Sequence, residues 1–105
     1  MATRRREVIW TQRARDALDE AASYVAQDSP ETAASLVERA LNAAESLGTL
    51  SERGRVVPEL DDPTVREIFI YRYRLMYEVA ASQITVLAFV HGARDFNRWW
   101  RGEQK

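Results

Sequence analysis

Residues Val65 to Arg94 read VREIFIYRYRLMYEVAASQITVLAFVHGAR. β-branched and aromatic residues crowd this stretch, and its breaks fall near Arg72 and at Ala81-Ser82-Gln83. It predicts three consecutive strands, about Val65–Tyr71, Tyr73–Ala80 and Ile84–His91, joined as an antiparallel meander. Side chains alternate along a strand. In the first strand Ile68 and Ile70 therefore share one face with Arg66 and Arg72, while Val65, Phe69 and Tyr71 share the other with Glu67. Both faces carry large apolar groups, so one is expected under helices and the other partly covered or used for binding. Arg66, Arg74 and Arg94 recur among these groups, and a sheet bearing them can face an anionic or acidic partner.

Upstream, the pattern changes. Glu7 to Trp10 is a short candidate strand. Thr11 is a candidate N-cap for a helix to about Gln27, whose buried face is Ala14, Leu18, Ala21 and Val25. Ser29 and Pro30 restart the chain, and proline suits a first helical position because its missing N–H has no partner there. The second helix runs to about Leu47 on a stripe of Ala33, Leu36/Val37, Ala40, Leu41, Ala44 and Leu47. Gly48 is its expected stop, in the left-handed conformation. A short break between helices favours an antiparallel hairpin. Residues 48–64 are read as a polar connection.

The chain has 105 residues, which fits one domain with a core of its own. Cysteine is absent, excluding disulfides, thiol nucleophiles and thiolate metal sites. The single histidine, His91, excludes multi-histidine metal ligation within one chain. No apolar run approaches the roughly 20 residues of a membrane span, and no apolar signal segment follows Arg4-Arg5-Arg6. The expectation is a cytoplasmic protein without a membrane partner. Net charge is −1, yet residues 1–52 carry 6 basic and 9 acidic groups and residues 53–105 carry 9 and 7. An anionic partner would meet the sheet side; the alternative is an ordinary mixed surface. The domain is expected over 7–101, with 1–6 and 102–105 flexible. Ala93 to Arg101 has the length for two helical turns with Phe96, Trp99 and Trp100 on one side.

The order of strand, helix hairpin and meander, with certain residues, resembles the RelE/ParE superfamily of bacterial toxins from type II toxin–antitoxin modules. The resemblance rests on Gly54-Arg55 with Val57-Pro58-Glu59, on Arg66-Glu67, and on Tyr73-Arg74-Leu75-Met76-Tyr77. Ile84 to Ala88 and His91-Gly92-Ala93-Arg94 complete it. It implies an α+β fold: an N-terminal strand, an antiparallel helix hairpin, a three-stranded antiparallel meander and a short C-terminal helical tail. It also implies a partner, a ParD-like or RelB-like antitoxin, in a hetero-oligomer.

The superfamily implies two activities. RelE-like members cut messenger RNA on the ribosome; ParE-like members poison DNA gyrase and have no known active site of their own. In the ribonuclease branch the chemistry comes from strand lysines two apart, sheet arginines and a C-terminal tyrosine. Attack by a 2′-hydroxyl needs a base, cations on the phosphate and an acid for the leaving group. Here Arg66 stands where the first lysine would be and Ile68 where the second would be. No tyrosine follows Tyr77, and Trp100 near the expected place is not an acid or base. Arg74 and Arg94 match the family arginines, and histidine is the residue type suited to proton transfer near neutrality. If the chain is a nuclease, its candidates are Arg66, Arg74, His91 and Arg94.

The departures favour the ParE side, with no catalytic residues and a target-binding surface of Arg66, Arg74, Arg94, Phe96, Trp99 and Trp100. The ribosome-dependent endoribonuclease is the alternative, and a fold that only binds antitoxin is a third reading. Arg74 has a second reading as a structural ion pair with Glu78 or another carboxylate. His91 likewise reads as a hydrogen-bonded structural residue, and the two tryptophans as sheet packing. The antitoxin is expected to lay an amphipathic helix beside the hairpin near Leu18, Val25, Leu36 and Val37, with further contact at a sheet edge or the basic face. No metal, nucleotide or organic cofactor is implied.

Overall fold

The computed structural model describes residues 5–92. Strand β1 (Glu7–Trp10) leads into helices α1 (Gln12–Ala26) and α2 (Pro30–Ser46). Strands β2 (Arg55–Val56), β3 (Val65–Ile70), β4 (Tyr73–Val79) and β5 (Gln83–His91) follow. The five strands form one sheet in the order β1-β5-β4-β3-β2. The meander β3-β4-β5 is antiparallel as expected. β1 lies parallel to β5, pairing Glu7 with Gln83 and Trp10 with Val86.

The helix starts obey local chemistry. The Thr11 hydroxyl accepts the Ala14 N–H at 3.0 Å, and the Ser29 hydroxyl accepts that of Thr32 at 3.1 Å. Each satisfies a donor that the first helical turn leaves without a partner. Alanine makes up much of the buried side of both helices, with Ala14, Ala21, Ala33, Ala40 and Ala44 all buried. Such small side chains allow close approach. Leu18, Leu36 and Leu47 drive into the sheet and meet Ile68, Ile70, Leu75, Tyr77, Ile84, Val86 and Phe89.

Four expectations are corrected. Leu41 is exposed, and Ala43 takes a buried place in α2 instead. Gly48 is outside the left-handed region; a Cβ there would stand 2.7 Å from the Arg6 carbonyl oxygen, so close backbone approach is what requires glycine. The 48–64 connection is not merely polar, since it supplies β2 and the fully buried Val57. Arg6, placed in a flexible lead, hydrogen-bonds the Ala80 carbonyl and Ser51 Oγ, while Arg5 pairs with Glu45.

The second sheet face has its own small core of Val57, Val65, Met76, Ala88 and Val90, flanked by Leu60 and Leu87. A β-bulge serves it. Met76 opposes Ala88 but Tyr77 opposes Val86, which leaves Leu87 as the extra residue. Among the described residues no helix is long and apolar enough to cross a membrane. The proposed C-terminal helical tail lies outside the described residues.

Candidate functional site

Two constellations stand out, one on each face of the sheet. On the face away from the helices, Glu67 is wholly buried beside Arg74, itself only 4% exposed. Arg74 Nε donates to Glu67 Oε1 at 2.6 Å, and its two terminal nitrogens grip both oxygens of Glu59 at 2.9 and 2.7 Å. Arg55 Nε reaches the other Glu67 oxygen at 2.7 Å. The result is a neutral quartet of two arginines and two glutamates, every link a charge-assisted hydrogen bond. The hydrogen bonds from Arg74 hold the Glu59 carboxyl below its ordinary value. The same bonds, those to Glu59 first, raise the Arg74 guanidinium above its own. Glu59 comes from the loop and Glu67 from β3, so the quartet fastens the 57–64 segment over the second core. Arg55 also lies over the exposed ring of Phe69, 5.4 Å from its centroid.

Gly54, preceding Arg55, is equally constrained. Its N–H donates to the Tyr77 hydroxyl at 2.9 Å, and that hydroxyl donates to the Ser51 carbonyl at 2.9 Å. Arg66 Nη1 donates to the Gly54 carbonyl at 2.7 Å. A Cβ on Gly54 would sit 2.4 Å from the Glu67 carbonyl oxygen and 2.7 Å from the Tyr77 hydroxyl. Burial raises the Tyr77 phenol above its ordinary value.

The second constellation is a pocket of about 240 Å³ between the α1–α2 tip and the β3–β4 turn. Tyr24, Val25, Thr32 and Leu36 from the helices and Tyr71, Arg72, Tyr73 and His91 from the sheet line it. Tyr73 stacks on Phe89 at 4.8 Å between ring centroids and meets His91 edge-on at 5.2 Å.

The sequence candidates therefore part company. Arg74 belongs to the buried quartet, with Glu67 and Glu59 as its carboxylates rather than Glu78, and little of it is exposed to a target. Arg66 lies on the helix-side face with Ile68, opposite Arg74, and holds the Gly54 turn. His91 shares that face, but its cross-strand neighbour is Tyr73, whereas that of Arg66 is Tyr77. Those neighbours are four residues apart on β4, roughly 13 Å at about 3.3 Å per residue. The structure does not bring Arg66, Arg74 and His91 to one site. Arg94, Phe96, Trp99 and Trp100 lie outside the described residues.

The antitoxin candidates also divide. Leu18 belongs to the core rather than to an open groove, and Val37 packs half-buried against that core. Val25 and Leu36 meet at the pocket. The charged quartet and the Gly54–Tyr77 clamp escaped the sequence reading as a unit. Their signal was the Gly54-Arg55 and Glu59 spacing, which carries no partner information until β3 and β4 are set side by side.

The model of the family described as ParE toxin of type II toxin-antitoxin system, parDE, matches residues 8–96. The chain belongs to the ParE toxin family. This ParE-family chain is 35% identical over 89 residues to Toxin RelE2 of Caulobacter vibrioides, covering 84% of the chain and 97% of that protein. Its fold is similar to that of the chromosomal ParDE toxin–antitoxin system from P. aeruginosa, with a TM-score of 0.68 at 22% identity over 84% of this chain and 97% of that one. It is also similar to the RelBE2 toxin–antitoxin complex from Mycobacterium tuberculosis, with a TM-score of 0.58 at 21% identity, covering 88% and 97%. The ParE-family chain is thus a type II toxin of the RelE/ParE superfamily, an α+β domain of two helices on a mixed five-stranded sheet.

Proposed function

We propose that this toxin acts as a ParE-like inhibitor of DNA gyrase and is neutralised by a cognate ParD-like or RelB-like antitoxin. The observation that supports gyrase over ribosome is the scatter of the nuclease candidates. Arg74 is committed to two carboxylates on one face, while Arg66 and His91 stand well apart on the other. General acid–base cleavage of RNA needs such groups within hydrogen-bond reach of one phosphate. A gyrase poison needs a binding surface instead. In this reading Arg66, Arg94, Phe96, Trp99 and Trp100 form or border that surface, and Arg74 braces the sheet beneath it. The antitoxin docks against the hairpin near Val25 and Leu36.

Growth arrest on induced expression comes first, followed by two assays with the purified chain. Trapped gyrase–DNA breaks with intact messenger RNA are the expected result, and Arg94→Glu is expected to weaken them without loss of fold. Cuts in messenger RNA on translating ribosomes with normal gyrase would instead establish the endoribonuclease. Absence of growth arrest, with antitoxin binding retained, would leave a fold that only binds antitoxin.

A further inference from the structure

None of the residues that line the pocket between the two hairpin tips is among those proposed above for the toxic surface. At about 240 Å³ the pocket is smaller than the roughly 300–1,000 Å³ typical of small-molecule sites, and the surface that its lining residues present to it is mostly apolar. Its size and lining suit one large apolar side chain, the kind of buried anchor that dominates protein interfaces.

Two further observations point to a partner. Tyr71, at the mouth, has φ 55°, the left-handed conformation that glycine or asparagine adopts readily and a bulky residue does not. Tyr71 is nonetheless 52% exposed, and Tyr24, which shares the pocket, is 70% exposed. The two-residue turn between Ile70 and Tyr73 demands that conformation but not a tyrosine, and beyond its contact with Arg39 this one stays largely exposed beside the pocket. The rim is also cationic. The Arg39 guanidinium lies 4.9 Å from the centre of the Tyr71 ring, and Arg72 follows in the turn. Among the described residues neither arginine is ion-paired with a carboxylate.

We propose that this pocket receives one large apolar side chain from an acidic helical segment of the antitoxin. The anchor seats against Val25, Leu36 and Tyr73, with Tyr24 and Tyr71 closing over it. Carboxylates one helical turn to either side meet Arg39 and Arg72. The inference rests on the reading of this chain as a toxin neutralised by an antitoxin, and it assigns where and by what chemistry that antitoxin is gripped.

The probe is the purified antitoxin, defined as the protein whose co-expression relieves growth arrest by the wild-type chain. Its affinity is measured by calorimetry for three variants outside the toxic surface. Val25→Trp fills the pocket and is expected to weaken binding about 100-fold, the loss of one buried anchor. Tyr71→Asn accepts the left-handed turn, so Tm holds or rises while affinity falls about tenfold. Arg72→Glu lowers affinity about tenfold at low salt and less at high salt. All three variants should still arrest growth. Wild-type affinity in Val25→Trp and Tyr71→Asn, both folded by circular dichroism, would overturn the pocket assignment while leaving the antitoxin reading intact. Self-association of the free chain that these variants abolish would assign the pocket to a second copy and overturn it too. If no protein relieves growth arrest, or none occurs, the antitoxin reading fails and the pocket assignment falls with it.

Discussion

Replacing Arg74 with methionine removes the guanidinium but keeps most of the aliphatic stem. Glu67, whose side chain is wholly buried, would be left with Arg55 alone. Breaking a buried pair from one side costs about 3–5 kcal/mol, because the surviving charge stays out of water. The Glu59 arm adds little to that figure, since its side chain is 36% exposed and solvent screens it. A domain of this size has about 5–15 kcal/mol to lose. The variant should therefore fold, with Tm lower by roughly 12–40 °C at about 4–8 °C per kcal/mol. Urea titration followed by circular dichroism reads the loss directly. The double variant Glu67→Leu with Arg74→Met should recover most of it. It removes both buried charges, and the arginine left behind, Arg55, is 59% exposed and hydrates. A coupling of about 2 kcal/mol or more in the double-mutant cycle is expected. A loss below about 1 kcal/mol in Arg74→Met, joined to loss of toxicity, would refute the bracing role and make Arg74 a direct contact.

Three other predictions bear on the same region. Tyr77→Phe leaves the Gly54 N–H and Ser51 carbonyl without their partner in a buried place, which should cost about 1–3 kcal/mol in urea unfolding. Gly54→Ala should be worse than Tyr77→Phe, since the new methyl meets backbone that cannot turn aside, and the yield of folded protein and Tm measure it. The carboxyl of Glu59 is held below its ordinary value of 4.5, so its contribution is fully present above that value and is lost as pH falls through the lowered one. Stability should be flat above about pH 5 and decline below it, and Glu59→Gln should make the decline shallower.

The sequence reading of the meander succeeded because β3 and β4 carry apolar groups on both faces, and only a sheet covered twice accommodates that pattern. Thr11, Ser29 and Pro30 placed both helix starts through local hydrogen-bonding rules, which need no tertiary knowledge. What eluded it was non-local. β2 is two residues long and exists because Arg55 and Val56 find Glu67 and Arg66 across the sheet. Leu41 fits the apolar stripe of α2, but the helix turns Ala43 inward instead, a rotation set by packing. Arg74 looked equally suited to binding and to an ion pair, because its partners Glu59 and Glu67 approach only after folding. The left-handed reading of Gly48 failed for a similar reason, since the need for glycine there comes from Arg6, distant in sequence. Val25 and Leu36 were legible as apolar, yet that they share a pocket with Tyr71 depends on where two hairpin tips meet.

The placement of β1 beside β5 bears on how the chain is born. Among the described residues β1, which precedes the other strands in the chain, has a single neighbour in the sheet, β5, which follows them all. Until β5 emerges, β1 has no ladder to join, and α1 lacks the β5 surface on which it rests. Closing so long a loop carries an entropic cost that must be met before its contacts can repay it. A toxin assembled in this way keeps its sheet open until β5 is made, so β1 and α1 reach their final setting only once that distant strand is in place.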